Sequence, residues 1–291
     1  MQTRVSFDRK YKFPHPPVVI GGLGGSGTRL VAAILQQLEF DMGSDLNRTN
    51  DNLAFTFLFK RPELWPLQEH APEIHQAMAV FFKAGFFRTP LEEKDILLID
   101  AIAKINSLQH PTDWLEKRLE NLKEYSKNLQ TPTQWGWKEP NTHIFLPALV
   151  DCIPEMKYIH VMRHGLDMAN STNQSQVNLW GNLLIGKKIT GPAPEVSFRY
   201  WCAVHRRILQ VSQNMHGRFF LLNFDNFCFQ PEKGLAQLLN YLQLKVSDKV
   251  FSGLVQMVNP PTTIGRYKTR SKISARAGDV ELLKKLGFEY Y

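Results

Sequence analysis

Cysteine is scarce. Cys152, Cys202 and Cys228 stand far apart in a chain of 291 residues. An odd count with no CxxC pair excludes a disulfide framework and a cysteine-rich metal module. Each lies in an apolar segment, where a thiol packs as a small hydrophobe, so the sequence predicts a reducing, cytoplasmic setting. Long apolar runs are missing too. None approaches the ~18 residues of a membrane-spanning helix. No apolar stretch follows the charged N-terminus, so neither a transmembrane segment nor a secretory signal is expected. Residues 1–16 are polar and proline-containing, the pattern of an arm. Acidic side chains are the third shortage: 27 Asp and Glu against 35 Lys and Arg, a formal charge of +8. That balance favours an anionic partner: a nucleotide, a nucleic acid, a membrane surface or an acidic substrate. The basic residues form no long run except at Arg266–Arg276, and no nucleic-acid recognition motif accompanies them. No nucleic-acid partner is expected. Apolar and charged fractions of 43% and 21% are ordinary for a folded chain and argue against disorder.

One further absence is a single lysine. The stretch GGLGGSGTRL, Gly21–Leu30, follows the apolar run Val18–Ile20. Strand, glycine loop and helix in that order are the context of a phosphate-binding loop. Gly22 and Gly27 have the spacing of a nucleoside-triphosphate loop, but Thr28 and Arg29 follow where Lys and Ser/Thr belong. The glycines, Gly24, Gly25 and Gly27 among them, let backbone N–H groups converge on an anion at a helix N-terminus. Ser26 and Thr28 add hydroxyls, and Arg29 adds charge. The missing lysine would reach the outer phosphates, so its absence disfavours an ATPase or kinase. That class and a non-catalytic nucleotide-binding module remain the alternatives.

Pro17–Gly22, Trp135–Lys138, Lys157–Met162 and Phe219–Phe224 read as short buried strands. Helical stripes cover residues 28–38, 143–152, a stretch from Leu166, 196–216 and the segment carrying Leu235, Leu238, Leu239 and Leu242. Residues 178–195, rich in Gly and Pro, read as a loop. Residues 51–127 read as helical and hold eight aromatics between positions 52 and 88. Core packing is the favoured reading for these, ahead of a wall for an apolar acceptor pocket. Trp135 and Trp137 alternate, which predicts one facing the core and one facing the pocket. The expected fold is α/β: a three-layer sandwich with a central, mainly parallel sheet, P-loop-like, in a single domain over 1–291 with a helical insertion at about 51–130.

The stretch KYIHVMRHGLDMANS places Arg163 at the carboxyl end of a buried strand, with Ser171 eight residues later, two turns into the next helix. Ligands of open α/β sheets bind outside the carboxyl ends of the strands. An arginine and a serine there can hold a second phosphate, away from the glycine loop. Asp167, one turn before Ser171, reads as a helix cap. His160 reads as a core strand residue, and His164 as one that touches the nucleotide.

With both sites on the page, the sequence resembles the sulfotransferases that use 3′-phosphoadenylyl sulfate (PAPS). Gly25-Ser26-Gly27-Thr28 matches their loop for the 5′-phosphosulfate. Arg163 and Ser171 match, in type and spacing, their pair for the 3′-phosphate. GRFFLLNFDNFCFQPEKGLAQLLNYLQL resembles the family's strand, acidic turn and leucine-striped helix, with Asp225 at the acidic position. IGRYKT, residues 264–269, resembles the basic segment that closes over the nucleotide. The resemblance covers residues 17–50 and 135–291. It implies sulfuryl transfer to a hydroxyl or amine of a small-molecule or carbohydrate acceptor, without a metal. It makes Arg266, Tyr267 and Lys268 contacts of the 3′-phosphate and adenine. Lys138, in a K-E-P segment like that of the tyrosylprotein and carbohydrate branches, becomes the cation at the transferring group, with Arg29 in reserve. Asp45, about twenty residues past the loop, becomes the base, with Asp51, Glu139 and His143 as rivals. The sequence departs from the family at Gly25, where a Lys or Arg usually stands.

Overall fold

The structure is a computed structural model describing residues 15–65, 72–87, 89–125, 133–186 and 193–291. The N-terminal arm expected over 1–16 lies almost wholly outside them. Val18–Gly22 forms strand β1, buried at every residue. Helix α1 (Thr28–Gln37) follows the glycine loop and buries Val31, Ala32, Ile34 and Leu35. The next stretch is helical: α2 (Leu53–Phe59), α3 (Pro72–Phe82), a π-helical turn at Lys83–Phe87, α4 (Glu93–Lys104) and α5 (Thr112–Tyr125). Strand β2 (Gly136–Lys138) leads through a 3-10 turn at Pro140–Phe145 into α6 (Leu146–Cys152), then β3 (Lys157–Met162). The short α7 (Gly165–Ala169), α8 (Ser175–Ile185) and the long α9 (Pro194–Ser212) precede β4 (Phe219–Asn223). The chain ends through α10 (Phe224–Phe229), α11 (Pro231–Leu242), α12 (Asp248–Gln256), a 3-10 turn at Arg266–Thr269 and α13 (Ala277–Lys285).

The strands form one sheet in the order β2-β1-β3-β4. β3 runs parallel to β4, with Tyr158 opposite Phe219 and Met162 opposite Asn223. This is a parallel central sheet flanked by helices, an α/β sandwich. Its hydrophobic strands suit a sheet buried on both faces. Among the described residues no helix is long and apolar enough to cross a membrane.

The chain divides into two compact units. The first comprises residues 1–18, 40–137 and 144–157; the second comprises 19–39, 138–143 and 158–291. The first unit packs around aromatic rings. Phe55 and Phe81 meet edge-on at 5.5 Å, and Phe81 meets Trp137 edge-on at 5.2 Å. Phe55, Phe57, Phe59, Phe81, Phe82 and Phe86 are all buried, so the insertion's aromatics are core. The side chain of Phe87 lies outside the described residues. Trp135 and Trp137 do not divide between core and pocket as their alternation predicts. Both are buried and both touch Phe86, at 4.6 and 6.2 Å. The ring of Phe86 is wide enough to meet neighbours two residues apart on a short strand.

The second unit is organised by α9. Trp201, Val204 and Ile208 share its buried stripe. One expectation here is corrected: the segment predicted as a loop over 178–195 is helical through Ile185. Val177 and Trp180 supply a buried face, and Gly181 is buried with them. Gly186 ends the helix in the left-handed conformation at φ 68°. Residues 187–192 of that predicted loop lie outside the described residues, and its end at Pro194 already opens α9.

Candidate active site

The glycine loop of the second unit is shaped by backbone angles that side chains rarely adopt. Gly25 and Gly27 have φ of 91° and 99°. Gly27 is also the N-cap of α1, without a side-chain cap. A Cβ on it would come within 2.2 Å of the Phe224 ring. At Gly25 the constraint is conformation alone, because a Cβ there meets nothing closer than the Met168 Cε at 3.9 Å. Ser26 is buried, and among the described residues its Oγ has no hydrogen-bond partner. A buried hydroxyl without a partner is costly, and this one belongs to a loop of left-handed glycines at a helix N-terminus. That is the chemistry of an anion cradle. Thr28 is buried, whereas Arg29 points outward as an exposed residue.

Arg163 leaves the end of β3 and joins this loop to the C-terminal segment. One guanidinium nitrogen donates to the Gly25 carbonyl and another to Thr263 Oγ1, each at 3.3 Å. Asp225 lies 3.5 Å from its Nε and Asp167 lies 3.9 Å from Nη2. The guanidinium carbon sits 5.9 Å from the Phe224 ring centre, within cation–π range. Asp225 also accepts the His164 N–H at 2.7 Å. Burial lifts the Asp225 carboxyl above its usual range, while the His164 N–H and Arg163 favour its charged form. Arg266 is held below the ordinary arginine value, first by burial and then by the nearby Arg163 charge. Arg163 and Arg266 thus carry like charges close to one another, which a bound anion would offset.

Asp167 is not the cap the sequence suggests; His164 caps α7, its side chain accepting the Leu166 N–H. Asp167 instead accepts, on its two oxygens, the N–H groups of Gly265, at 2.6 Å, and Tyr267, at 2.9 Å. It therefore holds the start of the Arg266–Thr269 turn. Tyr267 is buried and stacks on His164 at 4.2 Å and 23°, so the structure packs the expected adenine contact against a histidine. Lys268 is exposed, with its ammonium 5.9 Å from the Tyr267 ring. Ser171 is not two turns into a helix. Helix α7 stops at Ala169, and Ser171 lies beyond it, its Oγ accepting from the Asn173 N–H at 3.2 Å. The run Asn170-Ser171-Thr172-Asn173 is turn chemistry that competes with helix.

The K-E-P segment is tied to the loop by an amide. Gln176 donates to the Gly22 carbonyl at 3.2 Å, and its oxygen pairs with His143 Nε2 at 3.1 Å. His143 is fully buried, and desolvation pushes it down to about 3, so the ring is neutral. Glu139 accepts from the Asn141 backbone N–H at 2.5 Å and from its amide at 3.0 Å. Asn141 in turn accepts the Trp180 indole N–H at 2.9 Å. Lys138 ends β2 and is buried, 2% exposed. In the first unit, Asp45 accepts from Asn121 at 3.0 Å and pairs with Arg118 at 3.2 Å. Asp51 accepts from Asn47 and Thr49, both at 2.8 Å.

The structure thus brings together Gly25, Arg163, Arg266 and Tyr267 from the sequence-derived set. It adds Gln176, Phe224 and Thr263. The two acidic neighbours of Arg163 were both singled out in the sequence, Asp225 at the family's acidic position and Asp167 as a helix cap.

The family profile described as "Sulfotransferase family" matches residues 16–248. The chain belongs to the sulfotransferase family. It is accordingly a sulfuryl-transferring enzyme of the PAPS-dependent kind, and the kinase alternative falls away. A comparison with curated protein sequences finds no match. Among solved structures, the sulfotransferase domain of the Synechococcus PCC 7002 olefin synthase aligns at 15% identity and a TM-score of 0.52, covering 96% of this chain and 97% of that one. The sulfotransferase domain from the curacin biosynthetic pathway aligns at 15% identity and 0.53, covering 96% and 100%. At that identity these likenesses speak for the fold.

Proposed function

We propose that this sulfotransferase moves the sulfuryl group of 3′-phosphoadenylyl sulfate to a hydroxyl or amine of a small acceptor, and that the residues of the second unit divide the nucleotide's two anionic ends between them. The observation that carries this is Arg163, spanning the Gly25 carbonyl and Thr263 with Arg266 beside it. The residues fit such a ligand: a buried Ser26 hydroxyl without a partner among the described residues and two arginines repelling each other both call for an anion. When bound, the nucleotide supplies an activated sulfuryl group and departs as 3′,5′-ADP.

The chain's residues then have distinct tasks. Backbone N–H groups from Gly24 to Thr28 and the Ser26 hydroxyl bind the 5′ end. Arg163, Arg266 and Ser171 bind the 3′-phosphate, Arg163 through the planar fork that suits phosphate. Lys138 offsets negative charge at the transferring group. Asp45 takes the acceptor's proton, held in orientation by Arg118 and Asn121. The rivals are committed elsewhere, Glu139 to Asn141 and His143 to Gln176. Tyr267 supports the site from behind through His164 and Asp167, and Lys268 stands at its outer edge. Three free, buried cysteines suit work in a reducing cytoplasm.

A thermal-shift titration tests the assignment, because a ligand that binds only the folded state raises stability by about 2.7 kcal/mol at a hundred times its Kd. 3′,5′-ADP is expected to raise the melting temperature, and 5′-AMP to do so far less. Stabilisation by ATP with magnesium but not by 3′,5′-ADP would sink the assignment.

A further inference from the structure

Gln176, the second residue of α8, is buried. Gln174, the N-cap, fixes the start of that helix by donating to the carbonyls of Met168, at 3.2 Å, and Ser171, at 2.7 Å. Trp180 lies four residues past Gln176 and so shares its helix face. Its indole N–H donates to Asn141 at 2.9 Å, while Gln176 pairs with His143. The two side chains thus fasten α8 to residues 141–143. Arg207 holds the same stretch from α9, donating to the His143 carbonyl at 2.8 Å. Gln176 therefore stands on a fixed backing, and its free end reaches the glycine loop.

The two bonds of the amide fix which way round it stands. A backbone carbonyl only accepts, so Gln176 Nε2 faces the Gly22 oxygen, 3.2 Å away. The amide oxygen then faces His143 Nε2 at 3.1 Å, and that ring nitrogen carries the proton. Desolvation pushes His143 down to about 3, so the ring is neutral and Nδ1 is bare. Turning the amide over would set N–H against N–H at the ring and oxygen against oxygen at Gly22. Both mismatches would be buried, where unmade hydrogen bonds are costly.

What the amide holds is the foot of the loop. Gly22 is the last residue of β1. Its peptide is planar and trans, so pinning the carbonyl fixes the plane in which the loop leaves the strand. Little slack exists there: a Cβ on Gly22 would stand 2.4 Å from the Val161 carbonyl oxygen and 2.8 Å from Ser26 Oγ. The hydroxyl over Gly22 is the buried one without a partner among the described residues. We propose that Gln176 is a positioning residue for the 5′ end of the nucleotide: its amide, kept one way round by the His143 N–H, holds Gly22 so that Ser26 meets the anion. The proposal rests on the nucleotide reading for what the loop binds; the His143 proton is measurable without any nucleotide.

Calorimetric titration with 3′,5′-ADP, 5′-AMP and adenosine 3′-phosphate, which lacks the 5′ group, provides the test. Gln176→Leu is expected to weaken 3′,5′-ADP and 5′-AMP about tenfold and to leave adenosine 3′-phosphate within about twofold. Should the leucine variant fail to fold, Gln176→Glu carries the measurement. It is nearly the same size, its carboxylate cannot donate to Gly22, and the same selective loss is expected. Nitrogen NMR of the histidine rings gives a second readout. In the wild type, His143 is expected to show a neutral ring protonated on Nε2 from about pH 8 to 5. In Gln176→Glu it should take up a second proton within that range, because a carboxylate replaces a neutral acceptor. Equal losses for all three nucleotides, no loss, a wild-type His143 protonated on Nδ1, or a ring that stays neutral in Gln176→Glu would each overturn the positioning role and leave the nucleotide reading standing. A wild type that binds none of the three sinks the nucleotide reading, and the positioning role falls with it; that result is read before any variant is made.

Discussion

Position 27 can hold only glycine, for two independent reasons. Its φ of 99° lies in the left-handed region, which costs other residues about 1–3 kcal/mol. The Phe224 ring occupies the space of any side chain, at 2.2 Å from where a Cβ would stand. Because Phe224 opens α10 and also lies under the Arg163 guanidinium, displacing the ring disturbs the arginine as well. Gly27→Ala is therefore expected to cost about 2–4 kcal/mol of stability and to weaken 3′,5′-ADP in the protein that still folds. Chemical unfolding and a nucleotide titration check both halves; a variant as stable as the wild type would show that the ring moves freely. The same loop shows what single residues reveal in sequence. Gly25-Ser26-Gly27-Thr28 and Arg163 were legible because their spacing is local or falls at a strand end. Gly25 itself now has a physical account. The cation usual in the family is replaced where the backbone runs at φ 91°, and Arg163 donates to that residue's carbonyl. The partners of Asp167 and Gln176 were not legible, since they lie 98 and 154 residues away and no local pattern announces them.

At the scale of elements, strands and long helices were readable and short ones were not. β1, β3, β4 and α9 announce themselves by apolar runs or a 3.6-residue stripe. Helix α7 is five residues long, too short to show a period, so Ser171 was carried into a helix that ends before it. Helix α8 was hidden by Gly181 within it and Gly186 at its end, because the packing of Val177 and Trp180 outweighs glycine's low propensity. The turn at Arg266–Thr269 was recognisable by its basic residues, but what holds it was not. Two N–H groups on one carboxylate make that turn depend on Asp167, and hydrogen bonds to a charged group contribute about 1.5–3 kcal/mol. Asp167→Asn removes the charge and one good acceptor. It is expected to loosen the turn, weaken 3′,5′-ADP by roughly ten- to a hundredfold, and leave the affinity for a nucleotide lacking the 3′-phosphate much less changed. Equal losses for the two nucleotides would mean that Asp167 serves general folding and not the C-terminal segment.

The whole molecule carries a dependence on pH that no single motif predicts. His143, His160 and His205 are all buried. His160 meets His205 edge-on at 5.2 Å and His143 at 6.2 Å. Desolvation is the largest cause of depression in each: His143 falls to about 3, His205 to about 4, and His160 well below the usual histidine value. Mutual repulsion of the rings adds to it at His143 and His160. The unfolded chain protonates its histidines near pH 6.5. Above that value the three are neutral in both states and stability does not depend on them. Below it the unfolded state binds protons that the folded state refuses, so stability falls with pH until the folded values are reached. Each histidine contributes a slope of up to about 1.4 kcal/mol per pH unit. Three together can exhaust the 5–15 kcal/mol of a typical domain within a few units. Urea unfolding at stepped pH is expected to give a plateau from pH 8 to 6.5 and a steep decline toward pH 4. His160→Gln should flatten that decline by about one histidine's share while shifting the plateau by its own packing cost. A decline that begins only below pH 5, or one that His160→Gln leaves as steep, would assign acid sensitivity to carboxylates instead, whose pairing is lost at lower pH.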